Sequence, residues 1–216
     1  MAEFRDFDVY VLPWVAGAPR PAIDDALRQS AIRFCKETYA VNETIKLKAP
    51  AKPEVTVVST DSNLVVHSVL EVYGPGGLLD PTTKSELQDM YPDGWQAETV
   101  DAADDLHWWL SLGESTIRLI PYLTTATIEK VLTIETSLRP SDAAETLPNI
   151  LLTRWPEIIA AGALALLHSQ ESVPYAIAGR VAGMSAVFKS GISKAADEVE
   201  AGYNRPQLRT GLDEFP

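Results

Sequence analysis

The chain has 216 residues, carries 18 Lys and Arg against 30 Asp and Glu for a net charge of −12 at pH 7, and is 46% hydrophobic. That apolar content excludes a disordered polymer, and the acidity argues against a surface that wraps nucleic-acid phosphates or binds anionic lipid. Cys35 is the sole cysteine and cannot close an intramolecular disulfide, which excludes the stapled secreted scaffolds and leads us to expect assembly in a reducing cytoplasm.

The first acidic residues carry no signal-peptide-like run. The longest weakly charged stretch, Ile158 to Gln170, falls short of the roughly 20 residues that cross a bilayer, so a soluble protein with no membrane partner is expected. Asp6 to Ala18, with Val9, Val11, Leu12, Trp14 and Val15, reads as an extended lead-in punctuated by Pro13, Gly17 and Pro19 and expected to pack on the helix that follows. From Pro21 to Tyr39, Ile23, Leu27, Ala31, Phe34, Cys35 and Thr38 recur at spacings of three and four, which predicts a helix with one apolar face. Pro21 suits its first turn, where Asp24 and Asp25 complement the helix dipole.

From Thr44 the period changes to two. Thr44–Lys48, Glu54–Val58 and Val65–Tyr73 read as strands, followed by a turn at Gly74-Pro-Gly-Gly77 and a short helix over Ser85–Met90. Strand character returns at His107–Leu112, Thr116–Ile120 and Thr127–Leu138. The connections look too short for parallel crossovers, so an antiparallel sheet is expected.

After Pro140 helix formers return: a turn at Asn149–Arg154, then a helix over Glu157–His168 with Gly162 and Ala163 in its apolar stripe. Ile177, Val181, Met184, Phe188, Ile192, Ala195 and Val199 make the longest stripe of all, within Pro174–Tyr203. Gly179, Gly183 and Gly191 lower its intrinsic helix propensity, and close packing against another backbone would offset that loss. The predicted fold is therefore α+β. An N-terminal region (1–43) and C-terminal helices (141–203) form a helical bundle, an antiparallel β-sheet domain (44–140) is inserted between them, and an extended tail (204–216) follows. Asp80 to Glu114 holds nine acidic residues against Lys84 alone, a net of −8, so the insert carries most of the negative field.

Reaction chemistry is scarce. His67, His107 and His168 stand far apart and share no metal-ligand spacing with one another or with Cys35. Gly183-Met-Ser185-Ala-Val187 resembles the start of a nucleophile elbow, but Val187 replaces its last glycine and the segment lies within a helix pattern. Gly74-Pro-Gly-Gly77 lacks the Lys-Ser/Thr of a phosphate loop, and Asp101, Asp104 and Asp105 lack the glycine and distal glutamate of a calcium loop. Of the adjacent pair Trp108 and Trp109, a strand must send one to each face, leaving the other as a candidate interface residue. Cys35 on its apolar helix face reads as an inert thiol. The expectation is a non-enzyme without cofactor or metal. Leu208, Leu212 and Phe215 lie on a tail with too little pattern to bury them alone, and such tails order on a partner.

Two blocks carry a family resemblance. Leu12-Pro-Trp-Val-Ala-Gly-Ala-Pro19 with Ile23–Cys35 and Thr38, and Trp155-Pro-Glu-Ile-Ile-Ala-Ala-Gly-Ala-Leu-Ala-Leu-Leu167 with Val173-Pro-Tyr and the long last helix, resemble the head-to-tail connector (adaptor) proteins of tailed bacteriophages, similar to the tail tubular protein A-like neck proteins. The blocks cover the helical part; the region between them is divergent. The resemblance implies a ring of twelve subunits in the virion neck, seated beneath the portal protein. Such a ring continues the DNA channel without specific binding of the duplex and offers a platform to the tail or nozzle protein. It would give Leu208, Leu212 and Phe215 the role of portal anchors; Gly162, Gly179 and Gly183, small residues that let helices approach closely, are expected to serve helix packing or subunit contact. The alternatives are a six-fold tail-completion or tail-terminator ring and, from another class, a hydrolase or ligand-binding domain built on the His107–Trp109 strand and the acidic loop.

Overall fold

Because the link from Lys48 to Glu54 can reach only about 22 Å, at roughly 3.6 Å per residue, the two strands that it joins cannot stand at opposite edges of a flat seven-stranded sheet, which would be about 29 Å wide. Yet they do occupy opposite edges, so the sheet curls until its edges approach. The protein's structure, a computed structural model, describes residues 1–101, 105–124 and 131–202. It is mixed α and β.

The elements run in chain order as β1 (Ala2–Glu3), α1 (Asp8–Val11), α2 (Arg20–Thr38), β2 (Asn42–Lys48), β3 (Glu54–Thr56), β4 (Leu64–Gly74), β5 (Gly77–Pro81), α3 (Lys84–Met90), β6 (Thr99–Val100), β7 (Trp108–Ser111), β8 (Thr116–Ile120), β9 (Tyr122–Leu123), β10 (Val131–Pro140), β11 (Thr146–Leu147), α4 (Asn149–Arg154), α5 (Pro156–His168) and α6 (Ala178–Glu200). Among the described residues the large sheet has the order β2-β10-β4-β5-β7-β8-β3, and the pairs β1-β11 and β6-β9 stand apart.

The sheet is not wholly antiparallel, as its sequence had suggested. β5 and β7 pair in parallel, with Asp80 opposite Trp108 and Pro81 opposite Trp109, and so do β6 and β9. The 26 residues from Thr82 to His107 contain α3 and are long enough for a parallel crossover, which needs about a dozen or more. A capping box starts α3: the Thr83 hydroxyl accepts from the Glu86 amide while Glu86 accepts from the Thr83 amide, and that amide, with the Thr83 hydroxyl also in contact with the carboxylate, holds the Glu86 carboxyl below its ordinary pKa.

The lead-in is also more ordered than its prolines and glycine suggest. Phe4–Phe7 and Leu12–Trp14 are 3₁₀ turns flanking α1, and Phe7, Val11 and Val15 are buried. Single turns are too short to express a helical period, so Pro13 and Gly17 dominated the reading. An ion pair from Arg20 to Asp8, together with one to Asp24 at 2.8 Å, fastens this segment to the start of α2.

α2 packs on α5 and α6 with one side and on β10 with another. Phe34, fully buried, meets Trp155 at a ring-centroid distance of 5.2 Å, and the buried Ser30 hydroxyl donates to the Ile159 carbonyl at 2.7 Å. α5 and α6 run antiparallel, since Gly162 faces Phe188, Gly191 faces Ile158, and Arg154 just before α5 pairs with Glu198 at 2.6 Å. The main core is continuous from these helices through Ile45, Val72, Leu132 and Ile134 of the sheet, while Leu87, Trp95, Leu110 and Ile120 form a smaller cluster under α3.

Replacing Phe34 with alanine removes the buried ring contact between α2 and Trp155 and is expected to cost about 3–5 kcal/mol of stability. Val58→Ala, at an exposed position, should stay within about 0.5 kcal/mol. Urea unfolding followed by circular dichroism measures both.

Candidate functional site

The side chains singled out for chemistry do not converge. His168 is buried at the end of α5, where its Nδ1 lies 3.1 Å from the Tyr175 carbonyl. His67 on β4 stacks on Tyr39 and lies 3.8 Å from Glu114, which also pairs with Arg139 at 3.6 Å. His107 is exposed and touches the edge of Trp108. Among the described residues no three His, Cys, Asp or Glu side chains gather as metal ligands. Asp101 and Asp105 are exposed, Asp101 accepting from Thr124, and Asp104 lies outside the described residues.

Trp108 and Trp109 divide as the strand geometry requires. Trp109 is buried, and Trp108 is half-buried against Tyr91 in an edge-to-face contact at 6.1 Å. Trp108 lines a shallow acidic cleft with Asp80, Glu86 and Asp89. Gly74 and Gly77 close the hairpin between β4 and β5, a plain turn with Gly77 at φ 131°. Ser185 sits in the middle of the unbroken helix α6, not on a strand-to-helix turn. Cys35 is fully buried, and that burial pushes its thiol up to about 12, which keeps it protonated and unreactive at neutral pH.

The features that distinguish the molecule flank α6. On one side, the N-terminal turns and α5 leave a groove of about 390 Å³ lined by Val9, Tyr10, Trp14, Leu164, Met184 and Val187. Glu157 also lines it, but its rim is otherwise apolar and exposed: Val9 is 73%, Val187 55% and Trp14 46% exposed, and Leu12 stands out beside them. The Arg180 guanidinium lies over the Trp14 ring at 5.2 Å, so the ring is held in place although it is open to solvent. On the other side, α2, α5 and α6 enclose a second groove of about 450 Å³, with Leu166, Val181 and Phe188 as apolar lining and Arg33 and Lys189 as its cations.

The three glycines singled out in the sequence fall into two environments. At Gly162 a Cβ would stand 2.2 Å from the Ser30 hydroxyl and 2.8 Å from the Phe188 ring, so the helices meet there only because no side chain intervenes. Gly191, opposite Ile158, behaves likewise. Gly179 and Gly183 are exposed, and a Cβ at either would meet nothing within 4 Å. Neither serves packing among the described residues. Leu208, Leu212 and Phe215 lie outside the described residues.

The uncovered rim around Trp14 escaped sequence reading, because Val9, Leu12 and Trp14 seemed destined to pack on the first helix; their spacing inside one-turn elements gave no signal of facing outward. No helix among the described residues is long and apolar enough to cross a membrane. No protein-family model matches the chain, and no curated protein matches it.

The two glycine environments predict opposite responses. Gly162→Val is expected to destabilise the protein by about 1–3 kcal/mol through overpacking, whereas Gly179→Ala and Gly183→Ala should each stabilise the monomer by up to about 1 kcal/mol, as read by thermal melting. Cys35 should resist a thiol-reactive disulfide reagent at pH 8 in the folded protein and react fully after unfolding in guanidinium, as followed by absorbance.

Proposed function

We propose that the protein is a structural head-to-tail connector of a tailed bacteriophage, a non-enzymatic ring subunit that closes beneath the portal, continues the DNA channel and receives the tail. In this reading α2, α5 and α6 form the bundle that builds the ring, and the sheet projects from it as an insert. The observation that carries the reading is the line of Gly179, Gly183 and Val187 along α6, exposed beside Val9, Leu12 and Trp14. Each of those glycines costs a helix up to about 1 kcal/mol relative to alanine, and nothing among the described residues compensates for it. A neighbouring copy seated on that line would, because a bare glycine surface lets another backbone approach closely while Trp14 and Val187 supply apolar area at its edge.

The charge supports the same reading. A channel that conducts DNA should not grip it, and a subunit of −12, repeated around a ring, contributes no cationic excess to hold phosphates during passage. Leu208, Leu212 and Phe215 would anchor the ring on the portal once that partner is present, which orders assembly in time.

Gly183→Arg is expected to abolish ring formation while shifting monomer stability by less than about 1 kcal/mol, since its side chain would point into open space in the free subunit. Electron microscopy of the purified assembly or the particle decides the symmetry. Twelve-fold rings in the neck support the connector, six-fold rings on a tail tube would make it a tail-completion or terminator protein, and a chain that never enters a particle would rule out both.

A further inference from the structure

The second groove, between α2, α5 and α6, suits an occupant that is both apolar and acidic. Phe188, Val181 and Leu166 line it, and Gln29, Ser169 and Ser185 add hydrogen-bonding groups. Its two cations differ. Arg33 donates to Glu37 at 2.7 Å and lies over the Phe188 ring at 5.7 Å, while Lys189 has no ion-pair partner among the described residues. An acidic ligand would therefore meet one free ammonium and one guanidinium with donors to spare.

The chain itself contains such a segment: Leu212-Asp-Glu-Phe215 carries two carboxylates between two apolar side chains spaced by three, the spacing that brings them onto one face of a helical turn. Reach permits the contact. α6 ends at Glu200, and Gly202 just beyond it has a φ of 65°, the left-handed conformation that turns a chain away from a helix axis. From there to the middle of the groove near Ser185 is about 26 Å back along the helix, at roughly 1.5 Å per residue. The ten residues from Gly202 to Leu212 extend to about 33–36 Å. A tether of that length holds its end at an effective concentration of order millimolar, so even a weak contact would be populated.

We propose that in the free protein Leu212–Phe215 docks into the α2–α5–α6 groove of its own chain, with Leu212 and Phe215 on the apolar lining and Asp213 and Glu214 facing Lys189 and Arg33. The groove then acts as a resting seat for the segment, and a partner that takes the tail must first compete it away. This step precedes any ring and does not depend on one.

The test uses the full chain with photoreactive benzoylphenylalanine in place of Phe215, irradiated at micromolar concentration in the absence of any partner. The expected product has the mass of a single chain and is linked to peptides containing Leu166, Val181 or Phe188. R33E/K189E should lower its yield at least tenfold, and the added exchange D213K/E214K should restore it. The proposal is overturned by a product of twice the mass, by linkage elsewhere or none, by a yield indifferent to R33E/K189E, or by failure of the paired exchange to restore it.

Discussion

At Gly162 three helices meet in a space that no side chain could share. The Ser30 hydroxyl from α2 and the Phe188 ring from α6 both stand where a Cβ of α5 would be, at 2.2 and 2.8 Å. The hydroxyl reaches the Ile159 carbonyl because of that approach, so a buried polar group is satisfied by the same close packing that places it there. Much else follows from this junction. α6 runs back along α5 until Gly191 clears Ile158 and Arg154 meets Glu198, and α2, fixed on one side, covers β10 with the other. The sheet is thus positioned through α2, and the main core passes from helix to strand without a break.

How legible this was depended on whether a segment was long enough to express a period. α2 and α5 fall within about a residue of the limits read from their apolar spacing, and α6 occupies most of its predicted stretch but begins at Ala178, because the backbone before it stays extended at Ile177. The lead-in failed that test. Phe4–Trp14 consists of single turns, and in so short a span Pro13 and Gly17 outweigh the helical signal even though Phe7 and Val11 are fully buried. The strands were readable one at a time from their alternation, but their partners were not. Alternation fixes which face a residue takes and says nothing of which strand lies beside it, so the parallel pairing of β5 with β7 emerged only from the structure.

The candidate surfaces show a similar division. Sequence alone assigned Cys35 to the interior and split Trp108 from Trp109, because both conclusions rest on local geometry. It grouped Gly162 with Gly179 and Gly183, because a glycine in a helix advertises a missing side chain without saying what uses the space. Only the neighbours of each position separate them: Ser30 and Phe188 crowd Gly162, while Gly179 and Gly183 open to solvent. The outward rim of Val9, Leu12 and Trp14 was hidden for a related reason, since apolar residues beside an amphipathic helix are expected to pack on it, and here part of them do not.

The geometry of α6 also explains how one helix can serve two surfaces at once. Phe188, Ile192 and Ala195 form its buried stripe. Gly179, Gly183 and Val187 make one line at a spacing of four, and Val181, Ser185 and Lys189 make another, displaced by two residues. At about 100° per residue these lines stand some 200° apart, on opposite sides of the helix. Phe188 lies between the second line and the core, which is why its ring both seals the junction at Gly162 and lines the groove. A copy seated on the glycine line would therefore leave the groove on the far side open. The contact proposed for the ring and the seat proposed for Leu212–Phe215 thus lie on opposite sides of α6 and share none of its residues, so one helix carries both without either using the other's side chains.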